Sequence, residues 1–316
     1  MSSRALLEQE LDPDDCDNAA FISMCREMEE KLPAWNPISD EQELDEPEAS
    51  QRDEDLDGDL TQKELEWIMA TRDAVNAAGL SCSNVLMVQL AIVTKGRTDR
   101  ALRRLNKLKQ WEENPVVASM SREEAYKEAN ETSMVPEHGY CAAIRRAKNG
   151  SIGFACDYAS YRPSNLRLPV GILAVVATFE ACSSSLADVR RGVTIVCNSK
   201  GVGYSNISPT AELAFAEMYV EGYPIRINRF VLVDVTVVAR LLLRVLRKVL
   251  PRKLNQRFHL ISSEELSNYY DRDALPSFLK GTNPPSSKEW WGQLRARREA
   301  WEAELLSKYG PGFEKL

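Results

Sequence analysis

The sequence has almost no histidine: His138 and His259 are the two in 316 residues. That leaves little for a Ser-His or Cys-His mechanism and argues against a histidine-rich metal site. Seven cysteines, an odd number with no CxxC pair and no metal-ligand spacing, predict reduced thiols in the cytosol rather than a disulfide framework. No apolar run reaches the roughly 18–20 residues that span a bilayer. The opening stretch MSSRALLEQELDPDD has no apolar core, so no secretory signal is expected. There is no GxxxxGK[ST], HExxH or GxSxG, and the GVG at 201–203 is not completed to GxGxxG. No catalytic set and no cofactor are therefore expected.

Charge is present but divided. Residues 1–60 hold 20 Asp/Glu against 4 Lys/Arg, whereas residues 61–316 hold 36 basic and 27 acidic side chains. The net charge of −7 thus joins an acidic tail to a basic body. The tail, 1–60, is rich in Asp, Glu and Pro and is expected to be largely disordered, with a short amphipathic piece at 19–32. Within 53–64, Asp53, Asp55, Asp57, Gly58, Leu60 and Glu64 fall on the first, third, fifth, sixth, eighth and twelfth positions of a calcium loop. Leu56 is apolar inside that loop, Pro47 precedes it and no second loop accompanies it. A capping box from Thr61 to Glu64, opening the next helix, is the preferred reading.

Helices are expected near 61–78, 83–94, 98–113 and 121–130. The period then changes. Residues 140–146 and 151–158 flank a Lys-Asn-Gly turn and read as a hairpin. A long helix at 169–187 follows, then three buried strands, 192–198, 226–234 and 256–262. Helices at 209–221 and 236–250 separate them, and a further helix is expected at 263–270. Buried strands alternating with helices imply parallel pairing with crossover helices. An Arg/Glu/Trp-rich helix, about 287–308, ends the chain. The expected organisation is a tail (1–60), an N-terminal helical subdomain (61–130), an α/β domain (131–282) and a C-terminal helix (283–316).

The segment TVVARLLLRVLRKVL, 236–250, is the most informative. Arg240, Arg244, Arg247 and Lys248 recur at helical spacing on one face, and Val and Leu fill the rest. Thr236 occupies the N-cap position and Pro251 ends the run. Residues 226–257 carry nine basic side chains, Arg226 and Arg229 among them, against Asp234 alone. Such a patch favours an anionic membrane surface or a phosphoinositide. No aromatic-interleaved platform supports a nucleic-acid partner.

The order GVTIVCN, ISPT, EGYPIRINRFVLVD, the amphipathic helix, RFHLIS and LPSFLKGT resembles the CRAL-TRIO lipid-binding domain. Tyr223-Pro224 matches that family's YP, and Leu275, Pro276 and Gly281 match its LP…G end, with Thr282 replacing the last Gly. The resemblance covers about residues 61–282. It implies an N-terminal helical subdomain and a mostly parallel twisted sheet flanked by helices, with an amphipathic gate helix over an apolar cavity. It implies Ile172, Val175, Phe179, Ile195, Cys197, Phe215, Met218, Leu242, Val245, Leu246 and Val249 as lipid-binding residues. Arg226, Arg229, Arg240, Arg244, Arg247 and Lys248 would meet an anionic membrane. Phosphatidylinositol-binding members carry a Glu after the YP and a Lys-Pro on the gate helix. Here these are Ile225, Arg247 and Lys248, so the chain looks closer to the tocopherol and retinaldehyde branch. The function implied is that of a monomeric cytoplasmic carrier, not an enzyme, that binds a hydrophobic lipid and exchanges it at membranes. The competing reading is an adaptor that docks on a membrane or a protein without transferring a ligand.

Overall fold

The computed structural model describes residues 58–133, 142–144, 146–282 and 287–316, together with residues 23 and 56. The 19–32 piece apart from residue 23, Asp53, Asp55, Asp57 and His138 lie outside the described residues, as does nearly all of the acidic tail.

Three helices open the body: α1 (Gln62–Ala77), α2 (Asn84–Thr94) and α3 (Thr98–Glu112). The capping box forms: Glu64 N–H donates to the Thr61 hydroxyl, and the Glu64 carboxylate accepts from Thr61 N–H at 2.8 Å. The Ser83 hydroxyl caps α2, accepting from Leu86 N–H. A short helix, α4 (Arg122–Ser133), precedes the sheet. Ile68, Val75, Val88, Leu90, Ala101 and Leu105 form one apolar cluster, which Trp301 and Leu305 of the last helix, α10 (Ser287–Tyr309), complete. The C-terminal helix therefore packs into the core of the N-terminal helices.

The sheet has five strands in chain order: β1 (Ala142–Ile144), β2 (Ile152–Asp157), β3 (Val193–Asn198), β4 (Ile227–Val233) and β5 (Phe258–Ile261). β1 pairs antiparallel with β2, as the hairpin pattern predicts, and β2 to β5 are parallel. The crossovers carry α5 (Leu168–Cys182), α6 (Leu186–Arg191), α7 (Pro209–Glu221), α8 (Val237–Val249) and a single turn, α9 (Arg252–Asn255). Strand alternation divides the core. Phe154, Ile195 and Phe230 point to α5 and α7, while Ala155, Val196 and Val231 point to Leu266, Tyr270 and Leu279 on the other face.

Three expectations need correction. The helix expected over 169–187 is two helices. The backbone leaves the α region at Ser183, and the Ser185 hydroxyl accepts from Asp188 N–H to cap α6. Consecutive serines offer the backbone partners that compete with the helix ladder. The helix expected at 263–270 is one 3₁₀ turn, Glu265–Asn268. The strand expected to be buried at 256–262 is an edge: β5 pairs on one side only, and Leu260 is 42% exposed. A short apolar run does not by itself distinguish a central strand from an edge.

Candidate functional site

Helix α8 lies across the α7 side of the sheet. Thr236 caps its N-terminus, accepting from Ala239 N–H, and donates its own hydroxyl to Val202 C=O at 3.0 Å. Asn255 holds the other end, donating to Arg247 C=O at 2.8 Å and Leu250 C=O at 2.9 Å. Asp234, with φ at +51°, makes the turn from β4 toward the helix. Between these anchors the helix turns apolar side chains inward. Leu241 and Val245 join Val202 and Ile207, while Leu242, Leu243, Leu246 and Leu250 face a cavity.

The cavity has a volume of about 140 Å³ and lies between α8, α7 and the sheet. Of the residues expected to bind lipid, Val175, Ile195, Cys197, Phe215, Leu242 and Leu246 line it. Ile172, Phe179 and Met218 do not; they are buried in the core between α5, α7 and the sheet. Val245 packs against the 202–207 loop instead. Val249 lies on the last turn of α8. The sequence reading missed Phe154, Tyr219, Phe230 and Phe258, whose rings extend the lining, with Phe230 and Phe258 stacked at 4.7 Å. Strand alternation from Ile195 through the register partner Phe230 was the available signal.

It also missed the polar end. Tyr158, Tyr161, Ser199 and Glu212 line the cavity together. Tyr158 follows β2 in a 3₁₀ turn, its ring 5.5 Å from that of Tyr161. Glu212 is in the first turn of α7, only 8% exposed, and its carboxyl accepts the Tyr158 hydroxyl. Burial pushes the Glu212 carboxyl up to about 7, against the opposing pull of that hydrogen bond. Burial together with Glu212 also raises Tyr158 well above the usual phenol range. Cys156 and Cys197 are register partners beside this end, and their thiols are hydrogen-bonded to each other.

The basic residues do not form one surface. Arg240, Arg244 and Arg247 are exposed on the outer side of α8. Lys248 follows on the same helix. Arg229 lies on the opposite sheet face, its guanidinium 5.3 Å from the centre of the Tyr269 ring. Its neighbour Phe230 faces the cavity, so alternation turns Arg229 away from it. Arg226 precedes β4, donates to Arg190 C=O at 2.9 Å and is close enough to Arg257 to help lower that guanidinium to about 10, after the larger effect of burial.

Two motifs quoted above have structural roles. The Tyr223 hydroxyl donates to Gln89 at 2.9 Å and its carbonyl accepts from Arg104, joining the sheet domain to α2 and α3. A Cβ at Gly281 would come within 1.8 Å of Leu275 C=O, so the LP…G segment closes on backbone that only glycine admits.

The calcium-loop pattern is also resolved in part. Both Glu64 carboxylate oxygens accept from Arg190, at 2.9 and 2.6 Å. Arg190 also donates to the carbonyls of Leu56, Gly58 and Asp59. The guanidinium thus holds the carboxylate and the carbonyl that a calcium loop uses at its twelfth and seventh positions.

A parallel sheet, a helical N-terminal region and an apolar cavity roofed by an amphipathic helix define an α/β cavity protein. Residues 137–281 match the CRAL/TRIO domain model. The chain is similar in fold to the crystal structure of Sfh5, with a TM-score of 0.51 at 12% sequence identity, covering 77% of this chain and 99% of that one. No curated protein matches the chain. Among the described residues no helix is long and apolar enough to cross a membrane.

Proposed function

We propose that the protein binds a hydrophobic lipid in the cavity beneath α8 and exchanges it at anionic membrane surfaces, with α8 as the gate. The observation that carries this reading is α8 itself. One side of the helix lines the cavity through Leu242, Leu243 and Leu246, while Arg240, Arg244 and Arg247 are exposed on the other. Such a helix can trade cavity for acyl chains while its cations meet anionic head groups. Each buried CH₂ of a tail is worth about 0.8 kcal/mol, so a small apolar cavity gives useful affinity. The carrier acts as a monomer in the cytoplasm, peripheral on membranes. Ile225, Arg247 and Lys248 in place of the phosphatidylinositol set support placing it nearer the tocopherol and retinaldehyde branch. A phosphoinositide would then serve as an outer contact for α8, not as the cargo.

Native mass spectrometry of the purified protein should show a retained lipid. Leu242→Asp should leave the protein folded and slow lipid transfer between vesicles about tenfold or more, since a carboxylate would have to enter an apolar phase. Transfer at the wild-type rate would reject α8 as the gate. Membrane binding with no retained lipid and no transfer would favour the adaptor.

A further inference from the structure

The cavity holds one acidic side chain and, among the described residues, no lysine, arginine or histidine lines it. We infer that its cargo is an amphiphilic amine: an apolar tail ending in a protonated amino head, seated against Glu212 between the rings of Tyr158 and Tyr161. This inference rests on the carrier reading above and names the chemistry of the head group.

Glu212 is more than nine-tenths buried, and it faces the cavity rather than solvent. Its protein partner there is a phenol, which supplies one hydrogen bond but no charge. An ionised carboxylate in an apolar site needs a cation. Among the described residues no cation lines the cavity, so Glu212 either keeps its proton or meets a cation that the cargo brings. The surrounding groups suit an ammonium: the hydroxyl oxygens of Tyr158, Tyr161 and Ser199 can accept from it. Its charge also favours aromatic faces, and the Tyr158 and Tyr161 rings are 5.5 Å apart at this end. A phosphate or carboxylate head would instead lie against an acid with no counter-ion. A neutral alcohol could bond to Glu212 but would bring no charge to favour its ionised form.

The first turn of α7 adds a favourable dipole to the ionised form of Glu212, and burial opposes it. An arriving ammonium tips that balance toward the carboxylate, so binding below neutrality should release a proton. Three of the other groups facing Glu212 are moved further from neutrality. From the end of β2, Tyr158 and Tyr161 are both raised above the usual phenol range; from β3, Cys197 is raised well above the usual thiol range. Cys156, on β2, is held by Cys197. Among the described residues, helix α8 brings apolar side chains alone to the cavity.

The test uses three probes with one tail: dodecylamine, dodecanol and dodecanoate, measured by titration calorimetry on the full chain. Dodecylamine should bind about tenfold more tightly than dodecanol, the difference between a charge-assisted and a neutral hydrogen bond. Dodecanoate should bind most weakly. Glu212→Gln, which keeps the shape and the Tyr158 partner, should abolish the amine's advantage over dodecanol. That control also separates the cavity from the acidic tail, which the substitution does not touch. At about pH 6, titrations in buffers of different ionisation enthalpy should reveal proton release with the amine alone. Equal binding of amine and alcohol, or an advantage that survives Glu212→Gln, would overturn the inference while leaving the carrier reading intact. Binding of none of the three would overturn both.

Discussion

Glu64 and Glu212 are both buried carboxyls, equally shielded from solvent at 8% exposure, and the protein treats them in opposite ways. Glu64 is held by two Arg190 nitrogens and by the N–H and hydroxyl of Thr61. Burial alone would raise its pKa, but Arg190 and Thr61 outweigh it and hold the carboxyl below the usual range. Glu212 has a phenol, and burial wins. The same residue type is a fastener in one place and an uncompensated acid in the other. The difference lies in what each faces: a guanidinium that also gathers the 56–59 backbone, or a cavity. A fully partnered charge fixes structure, whereas an under-partnered one is available to a ligand.

Removing the Arg190 guanidinium should have the largest effect. Arg190→Ala should destabilise the protein by about 3–5 kcal/mol, because it leaves a buried carboxylate and three carbonyls without their donor. Chemical denaturation at neutral pH measures this. A loss below about 1 kcal/mol would show that the ion pair is not what joins 56–64 to α6.

On the cavity side, the exposed arginines should separate binding from stability. Arg240→Glu, Arg244→Glu and Arg247→Glu together should weaken binding to anionic vesicles by about 3 kcal/mol or more, at roughly 1 kcal/mol per basic residue. Folding stability should move little, since exposed charges contribute about 0–1 kcal/mol each. Unchanged co-sedimentation with such vesicles would sink the membrane-facing role of α8.

The two acids should also leave opposite marks on stability against pH. Glu64 is lowered on folding, so its contribution is present above the unfolded carboxyl pKa and is lost as pH falls through the folded value. Glu212 is raised from 4.5 to about 7. Its folded form keeps a proton that the unfolded chain has released, so stability falls as pH rises through that window and levels off above it. Glu212→Gln should therefore stabilise the ligand-free protein by roughly 2–3 kcal/mol at pH 8 and by almost nothing near pH 4. Parallel stability curves for variant and wild type across that range would contradict the buried acid.

The smallest effect concerns the tail. At low salt, a chain lacking residues 1–55 should bind anionic vesicles more tightly than the full chain, because the tail's acidic charge competes for the basic body. The cut must fall before Leu56, whose carbonyl Arg190 uses. Equal affinities in vesicle titrations would reject the competition.

Much of the frame was legible because its signals are local. The hairpin turn placed β2, short apolar runs placed β3 and β4, Ser208-Pro209 started α7, and Thr236 and Pro251 bounded α8. Periodicity also gave α8 its two faces, with the arginines outward. The division of 183–185 into a helix end and a new cap was legible in principle, since three serines in a row can end one ladder and start another. The cavity was legible only in outline. Six of the expected lipid-binding residues face it, but Ile172, Phe179 and Met218 share their composition and differ only in which neighbour they meet.

By itself the sequence determined the order of strands and helices, the caps, the amphipathic α8, and the Tyr223-Pro224 and Leu275-Pro276 motifs, all set by spacing along the chain. Tertiary structure alone decided which acid became a fastener. Glu64 and Arg190 are 126 positions apart, and Tyr158 and Glu212 are 54 apart. Whether a carboxyl meets a guanidinium, a phenol or a void depends on how the crossovers return to the sheet. Local propensity says nothing about that return, because the desolvation that sets each carboxyl's charge is a property of the assembled interior.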